Sequence, residues 1–389
     1  MEQTEGNNAK RAGAGMGCPY CRSTDTHTFL ESRLPNISSA CPAEMLHLVR
    51  IFPFRVNICH SCGLGFNTTP LKEDQLRLIY DHYTYISPMD HIGHTAYRGM
   101  VDTLMRHVSR EEHLVEIGCS EGFVLHELRK AGYIHLTGVD PAPQAERAIE
   151  QGLRIVRSYF DEGTLGSERV DVFVLMHVFE HFPDPFRILT LMLSRLAPSG
   201  RIVIEVPDLG GYHHQHLFYY SIPFFARLCR DYGLKIVEVT RDMDALRLVI
   251  ARSDDDSHAG VPVDGDIGSV IARAGRIGAD QREKMRKIEE ILTARKGETV
   301  YWWGAGSAST VILNQMSPEI LSRVNLIVVD GDRRKAGLFV PGVNLGIHSF
   351  EILRNREIGL LVIGSSFYDE IQETLRDSSI LPEEIHVVY

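Results

Sequence analysis

The chain has 389 residues, a hydrophobic content of 44% and a formal net charge of −10, from 51 acidic and 41 basic side chains. This length exceeds what one hydrophobic core usually supports, so we expect two or three domains. The acidic balance and the lack of a dense Lys/Arg run argue against nucleic acid or a membrane surface as partner. No apolar run reaches membrane-spanning length, which predicts a cytoplasmic protein, and residues 1–16 are polar and Gly/Ala-rich, which predicts a disordered tail.

Four of the seven cysteines form two Cys-x-x-Cys pairs, Cys18 with Cys21 and Cys59 with Cys62. In a chain without export features, this spacing favours a metal site over a disulfide framework. Four thiolates leave Zn²⁺ no open position, so we expect a structural zinc that helps a module at residues 17–78 to fold. The alternatives are a redox pair or chance clustering. The remaining cysteines are expected to be small apolar fillers, namely Cys41, Cys119 and Cys229.

From about residue 90 the pattern alternates between strands and helices, which predicts a doubly wound α/β domain over residues 79–254. Ligands of such sheets bind outside the carboxyl ends of the strands. The expected strands cover 114–117, 135–139, 170–175, 201–206, 235–240 and 246–252, and the helices begin near Thr95, Gly122, Pro143, Pro185 and Ile222.

Residues 114–122, Leu-Val-Glu-Ile-Gly-Cys-Ser-Glu-Gly, predict a buried strand, a small-residue turn and a helix, and Asp140 ends the next strand. Gly118 and Gly122 let the backbone approach a ligand, and Asp140 is placed to accept hydrogen bonds from a ribose. Because the turn lacks the Gly-x-Gly-x-x-Gly spacing, it favours S-adenosylmethionine (SAM) over a dinucleotide. The predicted cofactor-binding residues are Glu116, Gly118, Cys119, Ser120, Gly122, Asp140, Pro141 and His177.

Two histidine-rich segments follow later strands of this domain. The first places His177 and His181 beside the predicted pocket, and the alternative is that each is a polar residue satisfied in a loop. The second has three histidines, a glutamine and three tyrosines within residues 212–220. Such a set is costly to bury without partners, which favours a catalytic rim over a solvent-facing or adventitious metal-binding cluster. Upstream, the segment around Tyr83 and Tyr85 is either a lid or domain packing.

Residues 255–389 predict a second Rossmann-like unit. An amphipathic helix is expected from Ile267 to Lys296, followed by strands at 299–303, 324–329, 359–363 and 385–388, with Gly304-Ala-Gly306 after the first of these strands. A dehydrogenase would need a third glycine where Ser309 stands, so an NAD-dependent oxidoreductase is disfavoured. We expect the turn and its helix N-terminus to hold a phosphate-bearing substrate.

In this order the parts resemble the three-domain, SAM-dependent sugar C-methyltransferases of bacterial nucleotide-linked deoxysugar biosynthesis. The resemblance covers nearly the whole chain after residue 16. Its co-linear motifs are the two cysteine pairs with Pro53 to Asn57 before Cys59, Tyr80-Asp-x-Tyr83-x-Tyr85-x-Ser87, Val178-x-x-His181-x-x-Asp184, His216-x-x-Tyr219-x-Ser221, and Asp330 with Lys335, Gly337, Pro341 and Gly342.

The resemblance implies an α/β class I methyltransferase core between the zinc module and the second Rossmann-like domain. It also implies methylation of the carbon next to the ketone of a nucleotide-linked 4-keto-6-deoxyhexose, with SAM as methyl donor. His216 falls at the position of the general base, while His181, Tyr83 and Tyr85 would orient the sugar or the SAM. The candidate catalytic residues are His216, His181, Tyr83, Tyr85, Gln215 and His213.

The chain departs from this family at two places. Tyr-x-Glu-His becomes His213-His-Gln215-His216, and Ala308 replaces a lysine in the second glycine turn. A glutamine cannot raise the basicity of His216 as a carboxylate would, so a different sugar, nucleotide or acceptor atom is indicated. The alternatives are an O- or N-methyltransferase on a sugar or small metabolite, and a non-catalytic binding or scaffold protein with a vestigial SAM fold.

Overall fold

The computed structural model describes residues 17–81, 94–242, 245–263 and 265–388. Tyr83, Tyr85 and the tail expected at residues 1–16 lie outside this part of the chain. The described residues form three sheets of four, seven and six strands. Within these ranges, no helix combines the length and apolar character that a bilayer crossing would require.

The four-stranded sheet is built mostly by the N-terminal residues, which sequence patterning had not resolved into strands. Its members are β1 (Thr26–Pro35), β2 (Ile51–Cys59), β3 (Gly65–Asn67) and β9 (Phe218–Tyr219), in that spatial order and all antiparallel, with helix α1 (Glu73–Asp81) following β3. Strand β9 comes from the middle of the chain. Gly65 pairs with Tyr219, and a Cβ at Gly65 would lie 2.7 Å from the Tyr219 Cβ, so this close pairing requires glycine.

The seven-stranded sheet forms the centre of the molecule. Its elements are α2 (His94–His107), β4 (Leu114–Ile117), α3 (Phe123–Lys130), β5 (Leu136–Val139), α4 (Ala145–Glu150), β6 (Arg154–Val156), β7 (Val170–Met176), α5 (Pro185–Arg195), β8 (Leu196–Pro207), α6 (Ile222–Asp231), β10 (Leu234–Asp242) and β11 (Ala245–Arg252). The strand order is β10-β11-β8-β7-β4-β5-β6, and β11 runs antiparallel to both neighbours.

Buried apolar strands explain why most of this sheet was predictable. All four residues of β4 and five consecutive residues of β7 are buried, as expected for parallel strands covered on both faces. The six predicted strands are present. Strand β6 was not predicted, because this strand has only three residues and none of them is buried.

The six-stranded sheet is formed by the C-terminal residues. Its elements are α7 (Ile267–Ala294), β12 (Thr299–Trp303), α8 (Ser307–Gln315), α9 (Pro318–Leu321), β13 (Asn325–Asp330), β14 (Phe339–Val340), β15 (Leu345–Ser349), β16 (Leu360–Ile363), α10 (Tyr368–Asp377) and β17 (Glu384–Val387). The order is β14-β15-β13-β12-β16-β17, with β14 antiparallel and the others parallel. Helix α7 ends at Ala294, two residues before its predicted end at Lys296.

The N-terminal residues contact both other sheets. Tyr20 packs its ring against Phe186 and Phe224, at centroid distances of 4.9 and 5.1 Å, and its hydroxyl donates to Asp231 at 2.6 Å. At the other end of the module, backbone hydrogen bonds of 3.0 and 2.8 Å join Cys41 and Phe339 in both directions. The N-terminal sheet therefore connects the central and C-terminal sheets around a shared cleft.

Candidate functional site

A cleft of about 1180 Å³ opens where the three sheets meet. Its walls come from the carboxyl ends of β4, β5, β7 and β8, from the turns after β12 and β13, and from an N-terminal loop at residues 38–40. Pockets for one drug-sized ligand usually span roughly 300–1,000 Å³. The cleft is therefore larger than the usual site for one such ligand.

The turn between β4 and α3 has the backbone geometry that its sequence predicts. Gly118 has φ +78°, and a Cβ there would lie 2.2 Å from the Val178 Cγ2, so the turn requires glycine. The Ser120 and Ala142 backbone N–H groups donate to Asp140 Oδ2 and Oδ1 at 2.8 and 2.7 Å. Burial raises the pKa of Asp140, although these two hydrogen bonds oppose the shift.

Most of the predicted cofactor residues line the cleft. They are Glu116, Gly118, Cys119, Ser120, Asp140, Pro141 and His177, whereas Gly122 lies behind the wall as the N-cap of α3. Glu116 Oε2 is buried and has no hydrogen-bond partner in the described part of the chain. Burial, followed by the nearby Asp140 charge, raises the pKa of Glu116 well above its usual value. The Asp140 carboxylate is placed to accept hydrogen bonds from a ribose. The Glu116 carboxylate would pair with a ligand that carries N–H donors or a positive charge, and SAM has both the ribose and the charge.

Glu180 is a buried carboxylate at the centre of three imidazoles. Its side chain is 1% exposed, and neither oxygen has a hydrogen-bond partner among the described residues. Oε1 lies 3.7 Å from His177 Nδ1, 3.7 Å from His216 Nε2 and 4.0 Å from His181 Nε2. Glu180 was not predicted as a site residue. The signal that marks it is its position directly before His181, in the turn that follows β7.

His177 is the charged member of this cluster. It is a non-glycine residue with φ +52°, a conformation that persists only where the surroundings enforce it. Burial lowers its pKa, but Glu180 and Glu205 together outweigh burial and raise the pKa to about 10. Glu205 also pairs with Arg247 at 2.5 Å, so two buried acids face two cations. Arg247 was missed, although a lone charge in the apolar run of β11 marks it.

The histidine-rich loop before β9 divides between two environments. His213 and His216 line the cleft with ring centroids 3.9 Å apart, and His181 lies 4.9 Å from His216. Burial, reinforced by the neighbouring imidazoles, lowers the pKa of His213 to about 3 and that of His216 well below 6.5. His214 instead packs edge-on against Phe54 of the N-terminal sheet, at a centroid distance of 5.2 Å.

Gln215 also faces the cleft and is held by the N-terminal module. Ser38 Oγ donates to Gln215 Oε1 at 2.9 Å, and both side chains are buried. Gln215 Nε2 has no hydrogen-bond partner within the described ranges. Ser38 carried no sequence signal, because this contact joins residues 177 positions apart.

The turn after β12 repeats the construction seen at Asp140. Ala305 and Asp332 donate backbone N–H groups to Asp330 Oδ2 and Oδ1 at 2.8 and 2.9 Å, and Lys335 Nζ lies 3.0 Å from Oδ2. Ser309 occupies the position of the third glycine, where its Oγ accepts from Trp302 and donates to the Gly364 carbonyl. The C-terminal sheet therefore presents a second aspartate, held in the same way, to the same cleft.

The four paired cysteines converge at a separate site in the N-terminal module. Cys18 Sγ lies 3.6 Å from Cys62 Sγ, Cys21 Sγ lies 3.5 Å from Cys59 Sγ, and all four sulfur atoms lie within 4.8 Å of one another. Tetrahedral Zn²⁺ with bonds of about 2.3 Å would separate its sulfur ligands by roughly 3.8 Å. The donor set therefore fits zinc. The other three cysteines are buried and unpaired.

Comparison with known proteins places the enzyme core in the middle of the chain. Residues 89–239 match the sequence profile described as "Methyltransferase domain". The C-methyltransferase NovU of Streptomyces niveus is 27% identical over 224 residues, 51% of each chain. A ubiquinone biosynthesis O-methyltransferase of Aeromonas salmonicida is 28% identical over 100 residues, 24% of this chain and 42% of that protein. The chain thus spans about half the length of the curated relatives it matches.

Among solved structures, the 1,6-didemethyltoxoflavin-N1-methyltransferase of Burkholderia thailandensis, bound to S-adenosylhomocysteine, is 20% identical with a TM-score of 0.40. The match covers 52% of this chain and 96% of that one. The profile match, together with the reversed strand β11 in an otherwise parallel seven-stranded sheet, confirms the predicted α/β class I methyltransferase core.

Proposed function

Because the chain carries a SAM-dependent methyltransferase domain, we propose that it is a C-methyltransferase acting on a nucleotide-linked 4-keto-deoxysugar. The observation that carries this proposal is the shared cleft. Two nucleoside-type turns, one ending at Asp140 and one at Asp330, face a buried cluster of imidazoles around Glu180. The likeness to a C-methyltransferase supports carbon as the acceptor.

The turn after β4 would hold SAM, with Asp140 on the ribose and Glu116 toward the cationic amino-acid end. When bound, SAM supplies an electrophilic methyl group and leaves as S-adenosylhomocysteine. The charged His177 ring is anchored between Glu180 and Glu205, which fixes that wall of the cleft.

The turn after β12 would hold the nucleotide of the substrate. Asp330 takes the place of a ribose-binding acid, while Lys335 and the first residues of α8 offer positive potential to a diphosphate. A sugar attached to that nucleotide would extend toward the central sheet, where His181, His213 and His216 lie. Ala308 stands where the resembled family has a lysine. Lys335 is therefore the cation that these turns contribute to the described lining of the cleft.

His216 is the proposed general base. Its depressed pKa leaves the ring neutral at pH 7, so it can accept the proton from the carbon next to the ketone. Glu180 Oε1, 3.7 Å from Nε2, then stabilises the imidazolium that forms. Glu180 would supply the negative charge that Gln215 lacks. The electron pair left on carbon attacks the donated methyl group, and the proton remains on His216.

The four thiolates of Cys18, Cys21, Cys59 and Cys62 would hold one structural zinc. A filled tetrahedral site leaves no position for substrate, so the zinc would take no direct part in the chemistry. Its role would be to fix the module that supplies Ser38 and β3, the strand that pairs with β9.

Deuterium exchange tests the proposal. The protein is incubated in D₂O with dTDP- or UDP-linked 4-keto-6-deoxyglucose and S-adenosylhomocysteine, and exchange next to the ketone is followed by NMR. We expect exchange that His216→Ala abolishes, and carbon methylation when SAM replaces S-adenosylhomocysteine. Methyl transfer without exchange would support an O- or N-methyltransferase, consistent with the O-methyltransferase relatives. A protein that does not bind SAM in calorimetry would support the scaffold alternative.

A further inference from the structure

Gln215 lines the cleft and carries a buried hydrogen-bond donor. Its Oε1 accepts from Ser38 Oγ at 2.9 Å, so the amide nitrogen points away from Ser38. The side chain is only 3% exposed, and Nε2 has no partner among the described residues although it carries two hydrogens. Burying such a donor unpaired destabilises the protein, which indicates that a ligand acceptor completes the arrangement.

The loop that carries Ser38 is fixed at both ends. On one side, the buried Asn36 side chain accepts from the Arg50 backbone N–H at 2.8 Å and donates to the Leu48 carbonyl at 3.2 Å. On the other side, Cys41 and Phe339 exchange two backbone hydrogen bonds. Ser38 is therefore held by contacts outside the central sheet, and it sets the orientation of the Gln215 amide.

The proposed chemistry requires a hydrogen-bond donor near the ketone oxygen of the substrate. Loss of a proton next to a ketone leaves negative charge on the ketone oxygen, and a neutral imidazole is too weak a base unless that charge is stabilised. The protonated His177 does not meet this need, because its two ring nitrogens face Glu180 and Glu205. Gln215 adjoins His216 in the chain and lines the same wall.

We propose that Gln215 is a catalytic residue that stabilises the enolate oxygen, an inference that rests on the proposed function. As the C–H bond breaks, the proton passes to His216, the electron pair moves onto the ketone oxygen, and Nε2–H of Gln215 donates to that oxygen. When the C–CH₃ bond forms, the S–CH₃ bond of SAM breaks and the carbonyl is restored. Ser38 is the positioning residue that holds Oε1 away from the substrate.

The test compares exchange rates in two substitutions of similar size. Gln215→Met and Gln215→Leu each remove the amide donor without adding a charge beside His216. With dTDP- or UDP-linked 4-keto-6-deoxyglucose and S-adenosylhomocysteine in D₂O, we expect both to lower kcat for exchange by about 100-fold, the usual effect of losing one oxyanion donor. KM for the sugar nucleotide should change only a few fold. SAM affinity by calorimetry and the thermal midpoint report whether each variant is folded.

Ser38→Ala separates positioning from chemistry. With Gln215 present, we expect exchange to fall by about 10-fold, because the amide is free to turn. In the Gln215→Leu background, Ser38→Ala should have no further effect, since both changes act through one group. An additive loss in the double variant would overturn the positioning role.

Three results would overturn the inference. Folded Gln215→Met or Gln215→Leu protein that exchanges at the wild-type rate would reject it while leaving the proposed function intact. Exchange that a chelator abolishes and Gln215→Leu does not change would assign the enolate to a divalent cation bound among the cleft imidazoles. Wild-type protein that binds SAM but shows no exchange with either sugar nucleotide would reject the proposed function, and this inference with it.

Discussion

At the scale of single residues, the cleft depends on charges, most of them buried, that offset one another. Glu180 and Glu205 face the protonated His177 and Arg247, and the neutral His216 lies beside Glu180. A buried ion keeps its charge only when partners replace the lost water. Removing one carboxylate should therefore change the chemistry of its neighbours more than the shape of the cleft.

Glu180→Gln tests this coupling. The amide keeps the size of the side chain but cannot stabilise the imidazolium of His216, so we expect the exchange rate to fall by about 100-fold. SAM affinity should change little, because Glu180 lies outside the turn after β4. Glu162→Gln, at a surface ion pair with Arg187, is the control and should exchange at the wild-type rate. Equal rates in both variants would remove Glu180 from the mechanism.

The burial of His214 predicts how the free energy of unfolding depends on pH. The ring is fully buried, and burial lowers its pKa from 6.5 to about 4. Below pH 6.5, His214 therefore binds a proton in the unfolded chain but stays neutral in the folded chain. The free energy of unfolding falls as the pH drops toward 4. Between pH 7 and pH 4.5, His214→Phe should remove about 2.5 kcal/mol of this loss, at about 1.4 kcal/mol per pH unit below 6.5. Urea unfolding at pH 7 and pH 4.5 measures it.

The control for that measurement is His348→Phe, since His348 is exposed on β15. It should leave the pH dependence unchanged. A wild-type slope in His214→Phe would show that His214 does not titrate differently in the folded and unfolded states.

At the scale of elements, the proposed function depends on two strand-turn-helix units with the same construction. In each, an acid at the end of the second strand accepts two backbone N–H groups, one of them from the turn and the other from two residues further on. The units differ at their first strand. Glu116 of β4 offers a carboxylate to the cleft, while β12 has Trp302 there, hydrogen-bonded to Ser309. This difference favours SAM at the first unit and an uncharged nucleoside at the second.

Asp140→Asn and Asp330→Asn should separate the two ligands. An asparagine turns an amide N–H toward one of the backbone donors that the aspartate accepted, which disturbs the turn. We expect Asp140→Asn to weaken SAM about 10-fold and leave UDP binding unchanged, and Asp330→Asn to do the reverse. Calorimetry with each ligand measures both. Loss of SAM binding in Asp330→Asn would contradict the assignment of the second unit.

Gly118→Ala tests the geometry of the first turn. A left-handed backbone costs an L-residue about 1–2 kcal/mol, and the new Cβ would also strike Val178. We expect SAM to bind at least 10-fold more weakly. Gly166→Ala has the same backbone cost, with φ +55°, but no atom within 4 Å of the new Cβ. It should lower stability slightly and leave SAM affinity unchanged; equal SAM affinities in the two variants would contradict the role of the turn.

At the scale of the whole molecule, the N-terminal module completes the cleft. It pairs β3 with β9, supplies Ser38 to Gln215, and bonds to the C-terminal sheet at Phe339. Damage to the cysteine site should therefore disturb the histidine-rich loop between the sheets, and not only the local fold.

Cys59→Ser tests this dependence. We expect about one zinc per wild-type chain by elemental analysis, and loss of that zinc in the variant with a thermal midpoint lower by about 10 °C or more. Cys229→Ser, at a buried cysteine of α6, is the control and should retain its zinc. A wild-type chain without metal would reject the zinc assignment.

The sequence by itself determined the central strands, the two glycine turns with their acids, and the cysteine pairs. These features are local, since an apolar run, a turn that needs positive φ, and a metal-ligand spacing are each written in a few adjacent residues. The sequence also singled out His177, His181, His213, Gln215 and His216 by their unusual density of polar side chains.

Only the tertiary structure decided how these side chains divide and what they face. It directed His214 into the N-terminal sheet, placed Glu180 among three imidazoles, and brought Ser38 to Gln215 from the start of the chain. It also paired β9, which follows the central strand β8 in the chain, with β3 of the N-terminal sheet. Strand β9 has only two residues, too few for a sequence pattern to predict. Such contacts join distant residues, and their energies depend on burial and on partners that no local pattern records.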